Sequence, residues 1–234
     1  MTVLLVLFTL IAFLTADYFI QRKKRRAFVR EMLRPAQTLA PSQWHLSDDI
    51  LLAPNHTWLR REKDNSITVG IDNFLMSLTG VVDRIQLPIE GAMVNLQSPT
   101  FVLRDKGRTL RFASPIEGQV VSVNNELLHS PALTKSNPYT AGWLFTLIPN
   151  DEAKSLTGFF SGERAIEWLK KQNELVKEFI NIHAPQLQFA TMQDGGVPVD
   201  GVLKGFDAKV WKEFEQKFVP VQPIVDEIGE YANA

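Results

Sequence analysis

The side chain in this sequence with the strongest claim to chemistry is Lys106. It stands in VLRDKGRTLRFASPIEG, residues 102–118, where RDKGR sets three basic groups, one acid and one glycine between two strand-like runs. An amine at a hairpin tip can serve as a reactive arm, or it can be a solvated turn residue with glycine supplying the positive φ beside it. The four histidines, His45, His56, His129 and His183, are far apart and none has a ligand-spaced neighbour, so no metal site is read. The chain has no cysteine. Disulfides, thiolate metal sites and a cysteine nucleophile are thereby excluded. Acid clusters such as Asp151 and Glu152, or Asp226, Glu227 and Glu230, read as solvated surface. No Ser-His-Asp order and no phosphate loop is present, and the chain is read as a non-enzyme.

The elements that must position Lys106 lie between His56 and Pro149. HTWLRRE, SITVGI, VVDRIQLP, MVNLQ, PTFVLR, TLRFA, QVVSVN and GWLFTLIP alternate with KDN, IEGA, DKGR and SPIEG, which is the pattern of short strands with turn punctuation. A short helix is predicted from Asp72 to Leu78, capped by Asp72 and facing inward through Phe74, Leu75 and Leu78. After Pro149 the period changes. Ala165, Trp168, Leu169, Leu175, Val176, Phe179, Ile180 and His183 recur at three and four, predicting an amphipathic helix over 162–184. A second helix is predicted over 207–218, with Asp207 as N-cap, Phe206 stapled to Trp211, and Val210, Trp211, Phe214 and Phe218 on one face. The aromatic residues of this half, Trp143, Phe159, Phe160, Trp168, Trp211, Phe214 and Phe218, are read as the core that joins the helices to the strands.

The other end is read as a membrane anchor. Residues 3–20, VLLVLFTLIAFLTADYFI, form an apolar run with Asp17 as its one charge. At about 1.5 Å per residue the run nearly covers a hydrocarbon core of roughly 30 Å. Arg22, Lys23, Lys24, Arg25 and Arg26 follow it directly, which sets the N-terminus outside and the main domain in the cytoplasm. The sequon at Asn55-His56-Thr57 has no use on that side. Net charge is −1, and nothing points to nucleic acid. The organisation is therefore 1–34 anchor with a basic flank, 35–53 linker, 54–150 β domain and 151–234 helical extension.

HTWLR (56–60), TVGIDNF (68–74), VDRIQLPIEGAMV (82–94), SPIEGQVVSVNNEL (114–127) and NPYTAGWLFTLIP (137–149) stand in an order that resembles the H protein of the glycine cleavage system. The resemblance implies a mainly β fold: a lipoyl-type barrel-sandwich hybrid core, here with an N-terminal transmembrane helix and C-terminal amphipathic α-helices. It also implies a lysine in a Glu-Ser-x-Lys pattern at one hairpin tip, acylated by lipoate, whose arm carries an aminomethyl group between enzymes. Counted without gaps from Pro88 and from Ser114, the family lysine falls on Gly107. Arg104 then stands at the glutamate, Asp105 at the serine, and Lys106 one residue early. The reading is an unmodified turn lysine and no cofactor, with lipoate on Lys106 as the alternative. The functional expectation is a non-catalytic structural or docking subunit of a bacterial-type membrane protein complex, an electron-transport assembly being one host, with integral or peripheral membrane proteins as partners. A membrane-tethered lipoyl carrier is the alternative.

Overall fold

The computed structural model describes residues 46–151, 158–184, 198 and 200–221, with Phe13 and Thr15 in helical backbone. No helix among the described residues is long and apolar enough to cross a membrane. The predicted span at 3–20 and its basic flank lie outside the described residues, Phe13 and Thr15 apart.

Nine strands form two sheets among these residues. Strands β1 (Leu51–Leu52), β2 (Thr57–Arg61), β3 (Ile67–Ile71), β5 (Met93–Val94), β8 (Gly118–Val123) and β9 (Phe145–Pro149) build a six-stranded sheet in the order β1-β2-β3-β9-β8-β5. Strands β4 (Arg84–Gln86), β6 (Pro99–Asp105) and β7 (Arg108–Ala113) build the other, in the order β4-β6-β7. Every neighbouring pair is antiparallel. Inward side chains of the two sheets meet in one core. Phe101 stacks on Phe112 at 4.6 Å between centroids and meets Phe145 of the larger sheet at 6.0 Å. Alternation decides which residues go inside: Phe101, Leu103 and Asp105 of β6 point in, while Thr100, Val102 and Arg104 point out.

Strand β1 assigns the end of the stretch read as linker, 35–53, to the β domain; residues 35–45 lie outside the described residues. Ile50, Leu52 and Ala53 are buried, and β1 pairs with β2 through Leu51↔Leu59 and Leu52↔Trp58. Leu52 also exchanges both backbone hydrogen bonds with Phe160, at 2.8 and 2.9 Å. A two-residue strand has no period to read, and the prolines and polar residues before it dominate the local composition.

The strands of the described fold are accompanied by four α-helices, α1 (Asn73–Thr79), α2 (Leu133–Ser136), α3 (Gly162–His183) and α4 (Ala208–Phe218), and two 3₁₀ turns, Asn125–Leu128 and Val202–Gly205. Asp72 caps α1 by accepting from the Leu75 amide at 2.7 Å. Asp207 caps α4 by accepting from Lys209 and Val210, both at 3.0 Å. Helix α3 buries Ala165, Trp168, Leu169, Val176, Phe179 and Ile180 as predicted, and adds Gln172 and Asn173, while Leu175 and His183 are half-buried. Phe179, Phe214 and Phe218 interlock α3 with α4, with edge contacts of 5.6 and 5.7 Å. Of the seven aromatics read as core, Phe160, Trp168, Trp211, Phe214 and Phe218 are buried, and Trp143 and Phe159 are partly buried against them. The helical extension packs on the β domain.

Candidate functional site

Strands β6 and β7 are closed by a two-residue loop, Lys106-Gly107, because Asp105 pairs with Arg108 across the ladder. Both loop residues have positive φ, 48° at Lys106 and 83° at Gly107. That is the I′ pattern, whose twist matches the strands it joins. The sequence anticipates the glycine but not the lysine's own positive φ, which is unusual for a residue with a Cβ. A hydrogen bond from the Lys106 amide to Asp83 Oδ2, at 2.8 Å, ties the turn to the start of β4. The Lys106 side chain is exposed.

The shoulder of the turn is held from the other side. Asp105 is 1% exposed and pairs with the Arg108 guanidinium. Arg108 also donates to the carbonyls of Lys204 and Phe206, at 2.7 and 3.1 Å, and lies 5.1 Å from the centre of the Trp211 ring. Trp211 in turn donates its indole N–H to the Leu203 carbonyl at 2.7 Å. Residues 200–205 continue across the domain: Gly201 N–H bonds to the Ser77 carbonyl at 2.6 Å, Lys204 Nζ to the Val81 carbonyl at 2.5 Å, and Asp200 pairs with Lys135. Three residues further along β7, Glu215 of α4 receives the Arg111 amide at 3.1 Å and its guanidinium at 3.3 Å. Helix α4 therefore covers the β7 edge of the small sheet, where unpaired backbone would otherwise face solvent. None of this was legible in the sequence, since Arg108 and its carbonyl acceptors are 96 and 98 residues apart.

The other candidate residues are separated from the tip. His56, read as a structural residue at a strand start, is fully buried with φ 60°, and its Nδ1 lies 2.8 Å from Asp72 Oδ2. Its ring packs between Phe74 and Trp168. His129 is exposed at the end of a 3₁₀ turn, and His183 pairs with Glu213 at 3.3 Å; His45 lies outside the described residues. Among the described residues no group of three His, Asp or Glu side chains is placed to hold a metal ion.

The other motif residues are fixed by their own interior contacts. A Cβ on Gly70 would stand 2.4 Å from the Trp58 indole, so only glycine lets β3 pass beneath that ring. Trp58 donates to the Pro138 carbonyl at 3.1 Å, and the Tyr139 hydroxyl accepts the Asn73 amide at 3.2 Å. Burial, reinforced by the nearby Asp72 carboxylate, pushes the Tyr139 hydroxyl well above the ordinary tyrosine range. Asn124 donates to the carbonyls of Ala141 and Trp143 at 2.8 and 2.7 Å, fixing the loop before β9. Gly142 is required there because a Cβ would stand 2.6 Å from the Leu133 carbonyl.

The model of the family described as Glycine cleavage H-protein matches residues 51–172. The chain belongs to this family. It is 36% identical over 106 residues to the glycine cleavage system H protein of Klebsiella pneumoniae, covering 45% of this chain and 82% of that protein. The figures for the H protein of Shewanella denitrificans are the same. A crystal structure of the H protein from Mycobacterium marinum aligns over 55% of this chain and 99% of its own, with 22% identity and a TM-score of 0.47. The family match continues past Pro149 into α3 and stops before the segment that holds Arg108.

Lipoate is the group that H-protein membership brings into question. At the position that the sequence count gives for the family lysine, the chain offers Gly107, which has no side chain to acylate. Open space surrounds that position, but its φ of 83° strains any L side chain placed there. The family arm does not fit Gly107. Lys106 is the acylatable side chain of the loop, one residue earlier, with Arg104 and Arg108 on its flanks.

Proposed function

We propose that this H-family chain is a non-catalytic docking subunit, anchored in the cytoplasmic membrane by residues 3–20 with its main domain in the cytoplasm, and built on a domain that has given up the lipoyl arm. The observation that carries the reading is the hairpin tip. Its loop presents Lys106 and Gly107 in a tight I′ turn, and its shoulder is fastened through Arg108 to the backbone of residues 204–206, beyond the family match. An arm that must travel between enzymes needs a lysine at the position they read and a tip free to be handled. This tip has its lysine in another register and a second segment packed against it. The apolar run and the basic residues after it support the anchor and its orientation. Partners are other proteins of a membrane assembly, of which an electron-transport complex is one candidate host.

One observation favours a second reading. Lys106 is exposed at the outermost point of the hairpin, where an acyl-amide on Nζ would meet solvent and any carrier partner. In that case the protein is a membrane-tethered lipoyl carrier. Mass spectrometry of the native protein, solubilised in mild detergent, separates the two. An unmodified 102–113 peptide, together with stoichiometric membrane subunits in the same preparation, is the expected result. A lipoyl mass on Lys106 overturns the docking reading, and so does a lone monomer with no companion subunit.

A further inference from the structure

The outer edge of the small sheet carries a groove of about 610 Å³ between β4 and the 3₁₀ turn Asn125–Leu128. Leu87, Val123, Asn125 and Leu128 form its walls, and Arg84 and Arg104 stand over it. The two arginines are direct cross-strand partners in the β4–β6 ladder, and both are exposed. Like charges set directly opposite on neighbouring strands destabilise a sheet. Among the described residues neither arginine forms an ion pair, and Arg104 donates to the Gln86 carboxamide at 3.3 Å. No acidic side chain lines the groove. Glu90, on the turn after β4, has its carboxylate bonded to the Val123 amide at 3.2 Å.

Two adjacent guanidinium groups with no counter-ion match carboxylates, which they can grip through paired N–H donors. The walls ask for something apolar as well. Leu128 is 56% exposed, and Ile89, which follows Pro88 of the groove lining, is 79% exposed. We infer that this groove docks an acidic peptide segment of a partner protein, its carboxylates on Arg84 and Arg104 and a neighbouring apolar side chain against Leu87 and Leu128. Concavity selects a peptide over a lipid surface: a flat headgroup layer would meet the two arginines and leave the walls unfilled. The inference rests on the docking reading and gives it a surface and a partner chemistry, on an edge that β7 and α4 leave open.

The test uses the full-length chain in a nonionic detergent and a fluorescent, terminally blocked pentapeptide of sequence LEELE, read by anisotropy. Saturable binding that weakens with added salt is expected, with no binding of the LKKLK counterpart. Arg84→Glu and Arg104→Glu should each weaken binding about tenfold or more. Lys170→Glu, on the exposed face of α3, should leave it unchanged. Should a charge reversal fail to fold, Arg84→Gln and Arg104→Gln carry the same readout. Equal binding by wild type and the arginine variants overturns the inference. So does displacement of the peptide by glutarate at matching concentration, which marks a site for small carboxylates. Arginine-dependent binding to phosphatidylserine vesicles without peptide binding marks a lipid surface and overturns it too. Failure of the peptide while the native protein still co-purifies with stoichiometric subunits sinks the groove and spares the docking reading.

Discussion

The surroundings of His56 and the tip at Lys106 belong to one domain and obey opposite rules. Around His56 each motif residue is held by the interior: the His56–Asp72 pair, the indole of Trp58 over Gly70, the Tyr139 hydroxyl on the first turn of α1. At the tip, Arg104, Lys106 and Gly107 face solvent, while Asp105 is buried against Arg108 and Arg108 is held by a segment outside the family match. The contrast teaches where a fold is stored. Buried polar groups must be paired, so the His56 region cannot change without cost, whereas exposed turn residues are free to change and to take new roles.

The largest break in that contrast comes from Asp72→Ala. It removes the α1 cap and the buried partner of His56 at once, and should cost about 3–4 kcal/mol, measured by chemical denaturation. Next is Arg108→Ala, which leaves the Asp105 carboxylate buried without its cation and should cost about 2–3 kcal/mol. Its distinguishing sign is local: amide exchange should quicken over 202–218 more than over α1, because Arg108 fastens the extension and not the His56 region. Changes in the turn itself should be smaller. Gly107→Lys, which places a lysine where the family count puts one, should cost about 1 kcal/mol through its positive φ. Lys106→Asn should stabilise by a few tenths of a kcal/mol, since Asn-Gly is the preferred I′ pair; thermal unfolding of the two variants side by side checks both signs.

The smallest effect is electrostatic, in the turn between β2 and β3. Hydrogen bonds from the Ser66 hydroxyl and amide, at 2.6 and 3.1 Å, hold the Asp64 carboxyl below its ordinary value of 3.8. A depressed carboxylate stabilises the fold at neutral pH, and that contribution is lost as pH falls through the folded value, below 3.8. The Ser66 amide resonance should report the loss on acidification, and Asp64→Asn should remove the dependence.

Much of the tertiary outcome was legible beforehand. The strand and turn alternation placed eight of the strands, and Asp72 and Asp207 announced their helices because a cap is a local event, complete within four residues. Strand β1 was not legible, being two residues long with a partner chosen by burial of Leu52. The positive φ of Lys106 was missed because loop length is set by the Asp105↔Arg108 register and not by composition.

The residues alone carry the family, the mainly β core and the two amphipathic helices, since periodicity, capping and motif order are local or linear properties. Only the tertiary structure decided that the extension packs back on the domain, that Arg108 closes on carbonyls nearly a hundred residues away, and that Arg84 faces Arg104 beside an open groove. Those facts depend on register and on long-range closure. Neither is written in any short window of the chain; both follow from how the buried faces fit together.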